Sequence, residues 1–179
     1  MSYLPHNKGD MLMIKIKDKE KYYKRPNKQI ILTLAQIRKD NNIVYGTHAL
    51  NAYLPKFLDR KTTDYDVFSK QPLKSAKKLE KTLDKKYGAD LYDVVPARHK
   101  GTHRIKNKVT SEIIVDFSKQ PKQIGSTERH GIHYVTLDRI KDGIKKTLKD
   151  KSSAYRHGKD RDSLNRIKIA ERNNKVVKH

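Results

Sequence analysis

The chain has 179 residues, 42 Lys+Arg against 20 Asp+Glu, a net charge of +22, a pI near 10.0 and no cysteine. Without cysteine it can be neither a thiol enzyme, nor a thiolate zinc ribbon, nor a disulfide scaffold. No run of about 18 apolar residues occurs and Met1 to Asp10 lacks the apolar core of a signal peptide, so a soluble, intracellular, cytoplasmic chain with no membrane partner is expected. Such a positive excess attracts phosphate backbones by counterion release, which makes nucleic acid the expected partner, RNA ahead of DNA. With three Phe and no Trp, phosphate contacts should outweigh base stacking.

Residues 1–27 read as a basic N-terminal arm with one possible strand at Met11 to Ile16, ending where Pro26 interrupts a helix. From Lys28, the spacing of Ile30, Ile31, Leu34 and Ile37 predicts an amphipathic helix closed by Asp40-Asn41-Asn42, then a strand at Ile43-Val44-Tyr45. Gly46-Thr47 opens a second helix that ends near Pro55, and Tyr65 to Phe68 reads as a strand. Pro72 starts a helix carried by Leu73, Ala76, Leu79 and Leu83 and stopped by Gly88. Leu91 to Pro96, His103 to Ile105 and Ile113 to Phe117 are short β-branched segments suited to one twisted sheet. The tail reads as two helices, Leu137 to Leu148 and about Ala154 to Glu171. The expected organisation is a single α+β domain: the arm at 1–27, a catalytic core at 28–136 of a mixed sheet flanked by helices, and a helical C-terminal segment with a basic tail at 137–179. The strings Asp66-Val-Phe-Ser-Lys-Gln-Pro and Asp116-Phe-Ser-Lys-Gln-Pro echo each other, each placing an aspartate near a strand end.

The chemistry-bearing pattern is Gly46-Thr47, then Asp64-Tyr65-Asp66, then Asp116 on another strand. Residues two apart on a strand share a face, so Asp64 and Asp66 present paired carboxylates, which repel unless a cation lies between them. Mg²⁺ takes oxygen ligands and keeps substrate phosphates in its shell, and a third carboxylate from Asp116 allows a second ion about 4 Å away. Gly46 lets backbone approach a triphosphate at a helix start. Each part has a plain alternative: the Asp pair as a solvated turn, Gly46 as a turn residue, Asp116 paired with one of the abundant lysines. Their order, strand, Gly-Thr, helix, Asp-x-Asp, then an isolated Asp between Val115 and Phe117, favours a phosphoryl-transfer site.

The stretch Val44-Tyr45-Gly46-Thr47-His48-Ala49-Leu50 through Arg60-Lys61-Thr62-Thr63-Asp64-Tyr65-Asp66-Val67-Phe68-Ser69 resembles the DNA polymerase beta-like nucleotidyltransferase superfamily. Within it, the poly(A) polymerase-like proteins of large DNA viruses and the AbiEii-type nucleotidyltransferases look most similar. The tail from Arg156 to Leu164 resembles the Arg/Lys-Asp helical segment of the latter. The resemblance implies that Asp64 and Asp66 bind both catalytic Mg²⁺ or Mn²⁺ ions, and that Asp116 completes the metal set and helps to deprotonate the acceptor hydroxyl. It further implies that Gly46 and Thr47 hold the incoming NTP, although Thr47 stands where glycine or serine is usual.

Lys159, three residues after Arg156, can aim with it at phosphates, and Arg60 can contact nucleotide or acceptor phosphate. Lys24 and Arg25 of the arm, with Lys106 and Lys108, form basic clusters that can track a nucleic-acid backbone. His48 is open to a substrate contact or a helix-start role, and the pairs His99/His103 and His130/His133 lack the carboxylate or cysteine pattern of a zinc site. The expected activity is transfer of an NMP from an NTP to a hydroxyl, most simply a nucleic-acid 3′ end, with release of pyrophosphate. The rivals are a catalytically silent nucleic-acid-binding or assembly subunit and a tRNA- or protein-modifying toxin, with a protein partner or cognate antitoxin open in either case.

Overall fold

The structure, a computed structural model, describes residues 25–177. In chain order these form α1 (Arg25–Lys39), β1 (Ile43–Tyr45), α2 (Gly46–Tyr53), β2 (Tyr65–Ser69), α3 (Pro72–Tyr87), β3 (Tyr92–Pro96), β4 (His103–Asn107), β5 (Ile113–Lys119), β6 (Ser126–Arg129), β7 (Ile132–Val135), α4 (Leu137–Lys149) and α5 (His157–Arg172). Short 3₁₀ turns cover Lys56–Leu58 and Lys151–Arg156, so the last helix begins at His157 rather than near Ala154. The possible strand at 11–16 and Lys24 lie outside the described residues.

The strands make one mixed sheet in the order β3-β4-β5-β2-β1-β7-β6, the expected α+β architecture. β2 runs parallel to β5 and β1 parallel to β7, while the other neighbours are antiparallel. The β6–β7 hairpin was not anticipated from the sequence. Its strands are four residues each, and Ser-Thr-Glu-Arg has little β character by itself. His130 and Gly131 turn it with positive φ of 52° and 76°.

One sheet face is covered by α3, which crosses β3, β4 and β5, with α1 packed beside it. Ala76, Leu79 and Leu83 of α3 are fully buried against Val67, Ile105, Val115 and Phe117. Leu73, which shares their spacing, is 43% exposed. Gly88 ends α3 in the left-handed conformation, φ 67°, and Asp84 Oδ1 accepts from the N–H groups of Leu91 and Tyr92 to join the helix to β3.

α1 departs from the expected register. It starts at Arg25, with Pro26 in the first turn, where its missing N–H has no intrahelical partner to lose. Ile30 and Ile31 face outward, and the buried stripe runs through Gln29, Thr33, Gln36 and Ile37. Hydrogen bonds make that polar stripe tolerable: Tyr92 Oη donates to Gln29 Oε1 at 2.8 Å, Thr33 Oγ1 to the Gln29 carbonyl at 2.8 Å, and Gln36 Nε2 to the Ser75 carbonyl at 2.8 Å.

The other face carries α2 over β1 and β2, with α4 and α5 behind it. Leu50 and Leu54 of α2 join Ile144 of α4 and Ile167 and Ala170 of α5 in a second, smaller core. Neither α4 nor α5 packs closely on the same face of β4 and β5. Arg98, in the β3–β4 turn, lies 4.2 Å over the Tyr155 ring and joins that turn to the C-terminal segment. Among the described residues no helix is long and apolar enough to cross a membrane.

Candidate active site

Register places the site. Tyr45 on β1 is opposite Asp66 on β2, Asp66 is opposite Asp116 on β5, and Asp116 is opposite Arg104 on β4. Directly opposed residues share a face, so these four side chains form one cross-strand row on one side of the sheet. Val67, Val115, Phe117 and Ile105 alternate with them and anchor the opposite face in the core.

Gly46 follows Tyr45 with φ of +71°, and a Cβ there would collide with Asp66 Oδ2. The start of α2 therefore sits directly on the carboxylate, and only glycine permits both the backbone angle and the approach. Thr47 is buried in the first turn. The Tyr45 side chain takes no part in capping α2. Its hydroxyl shares a 2.8 Å hydrogen bond with Ser118 Oγ, and its ring stacks on Phe68 at 4.0 Å. Burial, followed by the charge of Asp66, pushes the Tyr45 hydroxyl up to about 12, so it stays protonated.

The carboxylates crowd one another. Burial pushes Asp66 from its ordinary 3.8 up to about 6, and Asp64 and Asp116 push it the same way, while Lys159 and Arg156 pull it back. Asp64 lies just before β2, accepting from Thr62 Oγ1 at 2.8 Å. Asp116 does have a cationic partner, an arginine rather than a lysine: Arg104 Nε donates to Oδ1 at 2.8 Å and Nη2 to Oδ2 at 2.7 Å. This two-pronged contact occupies both oxygens of Asp116. Among the described residues no three metal-ligating side chains are gathered closely enough to hold an ion, so the expected triad of Asp64, Asp66 and Asp116 is near but not closed. The donor set nevertheless suits Mg²⁺ or Mn²⁺: all oxygen, with Asp66 raised by burial and then by the neighbouring charges of Asp64 and Asp116, which a cation would offset.

The C-terminal segment supplies positive charge. Arg156 is held by the buried Asp160, with Nε to Oδ2 at 3.1 Å and Nη2 to Oδ1 at 3.2 Å, and both Arg156 and Lys159 act on Asp66. Lys159 and Arg60, named separately from the sequence, line one cavity of about 430 Å³ together with Asp59, Gly158, Asp162 and Arg166. Asn51 fixes the Arg60 backbone through bonds of 2.8 and 3.1 Å, and Arg60 Nη1 lies 3.7 Å from Asp162. Arg166 crosses beneath, donating to the Leu58 carbonyl at 3.1 Å.

Other candidates are placed differently. Lys106 shares the face of Arg104. Lys108 is turned to the sheet edge, where Asp90 at 2.5 Å and Asp93 at 3.2 Å engage its ammonium. Arg25 opens α1, an element that contributes nothing to the carboxylate row. His48 stacks on Tyr65 at 3.8 Å with its Nε2 buried, and burial lowers its pKa. Among the residues missed from sequence is Arg104. The signal for it was the hairpin register, which sets position 104 against 116.

A mixed sheet carrying two in-register aspartates, a third just before the strand, and a glycine-led helix on top of them defines a nucleotidyltransferase-like fold. Residues 30–141 match the family model described as the poly(A) polymerase catalytic subunit, and the chain belongs to that family. Among solved structures, the Megavirus polyadenylate synthase is similar at a TM-score of 0.62 and 20% identity, over 100% of this chain and 40% of that one. This chain thus spans less than half the length of the Megavirus protein. JHP933 from Helicobacter pylori aligns at a TM-score of 0.43 and 14% identity, over 73% of this chain and 58% of that one. No curated protein gives a significant match.

Proposed function

We propose that this chain transfers a nucleoside monophosphate from an NTP to the 3′ hydroxyl of a nucleic acid, RNA ahead of DNA, with Mg²⁺ or Mn²⁺, releasing pyrophosphate. The observation that carries the reading is the row Asp66-Asp116 with Gly46 packed onto Asp66. The acceptor oxygen forms a bond to the α-phosphorus, the bond from that phosphorus to the α,β-bridging oxygen breaks, and its electron pair leaves on pyrophosphate. Asp64 and Asp66 with Asp116 would hold the metal, which would supply charge neutralisation at the triphosphate and lower the pKa of the attacking hydroxyl.

The chain's own groups do the rest. The unpaired N–H groups at the start of α2 and the approach allowed by Gly46 hold the triphosphate. Lys159 and Arg60, on one cavity wall, take the β- and γ-phosphates, with Arg156 held in place by Asp160. Arg104 keeps Asp116 oriented. Arg104 takes one lone pair on each Asp116 oxygen, and the remaining lone pairs let Asp116 accept the hydroxyl proton. Lys106, on the same face as Arg104, guides the acceptor strand.

The test incubates the protein with each of the four labelled NTPs, Mg²⁺ or Mn²⁺, and RNA or DNA oligonucleotides with free or blocked 3′ ends. Label on free 3′ ends only, lost in Asp116→Asn, supports the reading. Binding of nucleic acid without any label transfer, unchanged in Asp64→Ala/Asp66→Ala, would replace it with the silent binding subunit.

A further inference from the structure

The echo between the two Ser-Lys-Gln-Pro strings has a structural outcome that the catalytic site does not use. Both lie at the ends of the parallel strands β2 and β5, where Ser69 is paired with Lys119 and Gln120 N–H donates to the Ser69 carbonyl at 3.0 Å. Lys119 Nζ reaches across to the Lys70 carbonyl at 2.6 Å. The two turns therefore bring two lysines side by side at one end of the sheet, where α3 begins.

α3 continues that charge. Lys74, Lys77, Lys78 and Lys81 fall three or four residues apart on its exposed side, so they form a ridge rising about 1.5 Å per residue. Together the six lysines line a groove of about 940 Å³ between α3 and the β3–β4 turn, with His103 and Gly101 on the far side. Its floor is apolar: Leu73, 43% exposed although it follows the core spacing of α3, lies beside Pro72 and the lysine stems. Among the described residues no carboxylate lines it, and of its lysines only Lys78 has an acidic partner shown in the structure, Asp40 at 2.6 Å. The groove is on the helix-covered face, the opposite side of the sheet from Asp66 and Asp116. The turn at residues 97–102 borders both, through Arg98 on the catalytic side and Gly101 on this one.

We propose that this groove is a second binding site, for the phosphate backbone of a single-stranded nucleic acid, separate from the catalytic site. Its charge is all lysine, point charges that neutralise phosphates without the planar fork that reads a particular group. That predicts binding tolerant of sequence. The apolar strip between the ammonium groups gives riboses and unpaired bases a surface to lie on, one that the enclosed bases of a duplex cannot use. An acidic protein segment would satisfy the charges as well, and the experiment separates the two.

The experiment measures binding of the full chain to a labelled RNA oligonucleotide by anisotropy across a salt series, for the parent and for Lys74→Gln/Lys77→Gln/Lys81→Gln. These three lysines are exposed, and glutamine keeps helix propensity. The control Lys28→Gln/Lys39→Gln/Lys168→Gln removes the same charge elsewhere on exposed helix positions. The groove variant should lose at least about tenfold in affinity, and its slope of log K against log salt should shrink by about 2, at about 0.7 for each phosphate no longer neutralised. The control should change much less. Equal losses in both triples would overturn the proposal, since only overall charge would then matter. A loss seen with polyglutamate or duplex but not with single strands would overturn it in favour of another partner. Asp66→Asn should keep the groove's binding intact, so failure of the transfer reaction and failure of this site are read separately.

Discussion

Replacing Asp66 by asparagine should make the folded protein more stable while removing its proposed activity. In the folded chain the carboxyl is raised from 3.8 to about 6 by burial and by Asp64 and Asp116. A group whose folded pKa is raised holds its proton longer in the folded state, so stability falls as pH rises between about 4 and 6 and the whole cost is present above that window. The rise from 3.8 to about 6 corresponds to about 3 kcal/mol at neutral pH. Asparagine keeps the shape, carries no charge, and can donate its amide to the neighbouring carboxylates. Urea denaturation of Asp66→Asn should therefore show a gain of about 3 kcal/mol at pH 7.5 that shrinks towards zero near pH 4. A variant no more stable than the parent at pH 7.5, or equally stabilised at pH 4, would refute the claim that like-charge crowding and burial shape this site.

The same crowding predicts that millimolar Mg²⁺ raises the Tm of the parent by binding the folded state, and that Asp66→Asn loses most of the shift, measurable by calorimetry. Gly46→Ala should cost at least about 1 to 2 kcal/mol from the left-handed backbone alone, with further loss from the collision with Asp66. Transfer should fall more than the urea midpoint does, because the helix start is pushed off the carboxylate. Arg104→Gln removes both contacts to Asp116 and should cost about 2 kcal/mol in chemical denaturation. Asp160→Asn releases Arg156 and should raise KM for NTP with a smaller effect on kcat, a split that steady-state kinetics resolves.

The placement of several candidate residues was legible because it depends on local patterns. Gly46 before a helix and Asp64-x-Asp66 entering a strand are short-range patterns, and the core side of α3 followed from Ala76, Leu79 and Leu83. What escaped was long-range or polar. Arg104 gains its meaning only from the β4–β5 register, and the two shared strings only from the pairing of β2 with β5. α1 misled because its buried stripe is made of Gln29, Thr33 and Gln36, whose hydrogen bonds to Tyr92 and Ser75 replace apolar packing while Ile30 and Ile31 stay outside. β6 and β7 were missed because four-residue strands depend on their neighbours, β7 on the parallel partner β1.

The most direct measurement follows label from two positions of the same nucleotide: NTP labelled at the α- or the γ-phosphorus, with Mg²⁺ or Mn²⁺ and an RNA bearing a free 3′ end. The account predicts that α-label enters the RNA, that γ-label leaves as pyrophosphate, and that Asp64→Ala/Asp66→Ala does neither. Entry of γ-label into the RNA, or α-label transfer undiminished in the double variant, would contradict it.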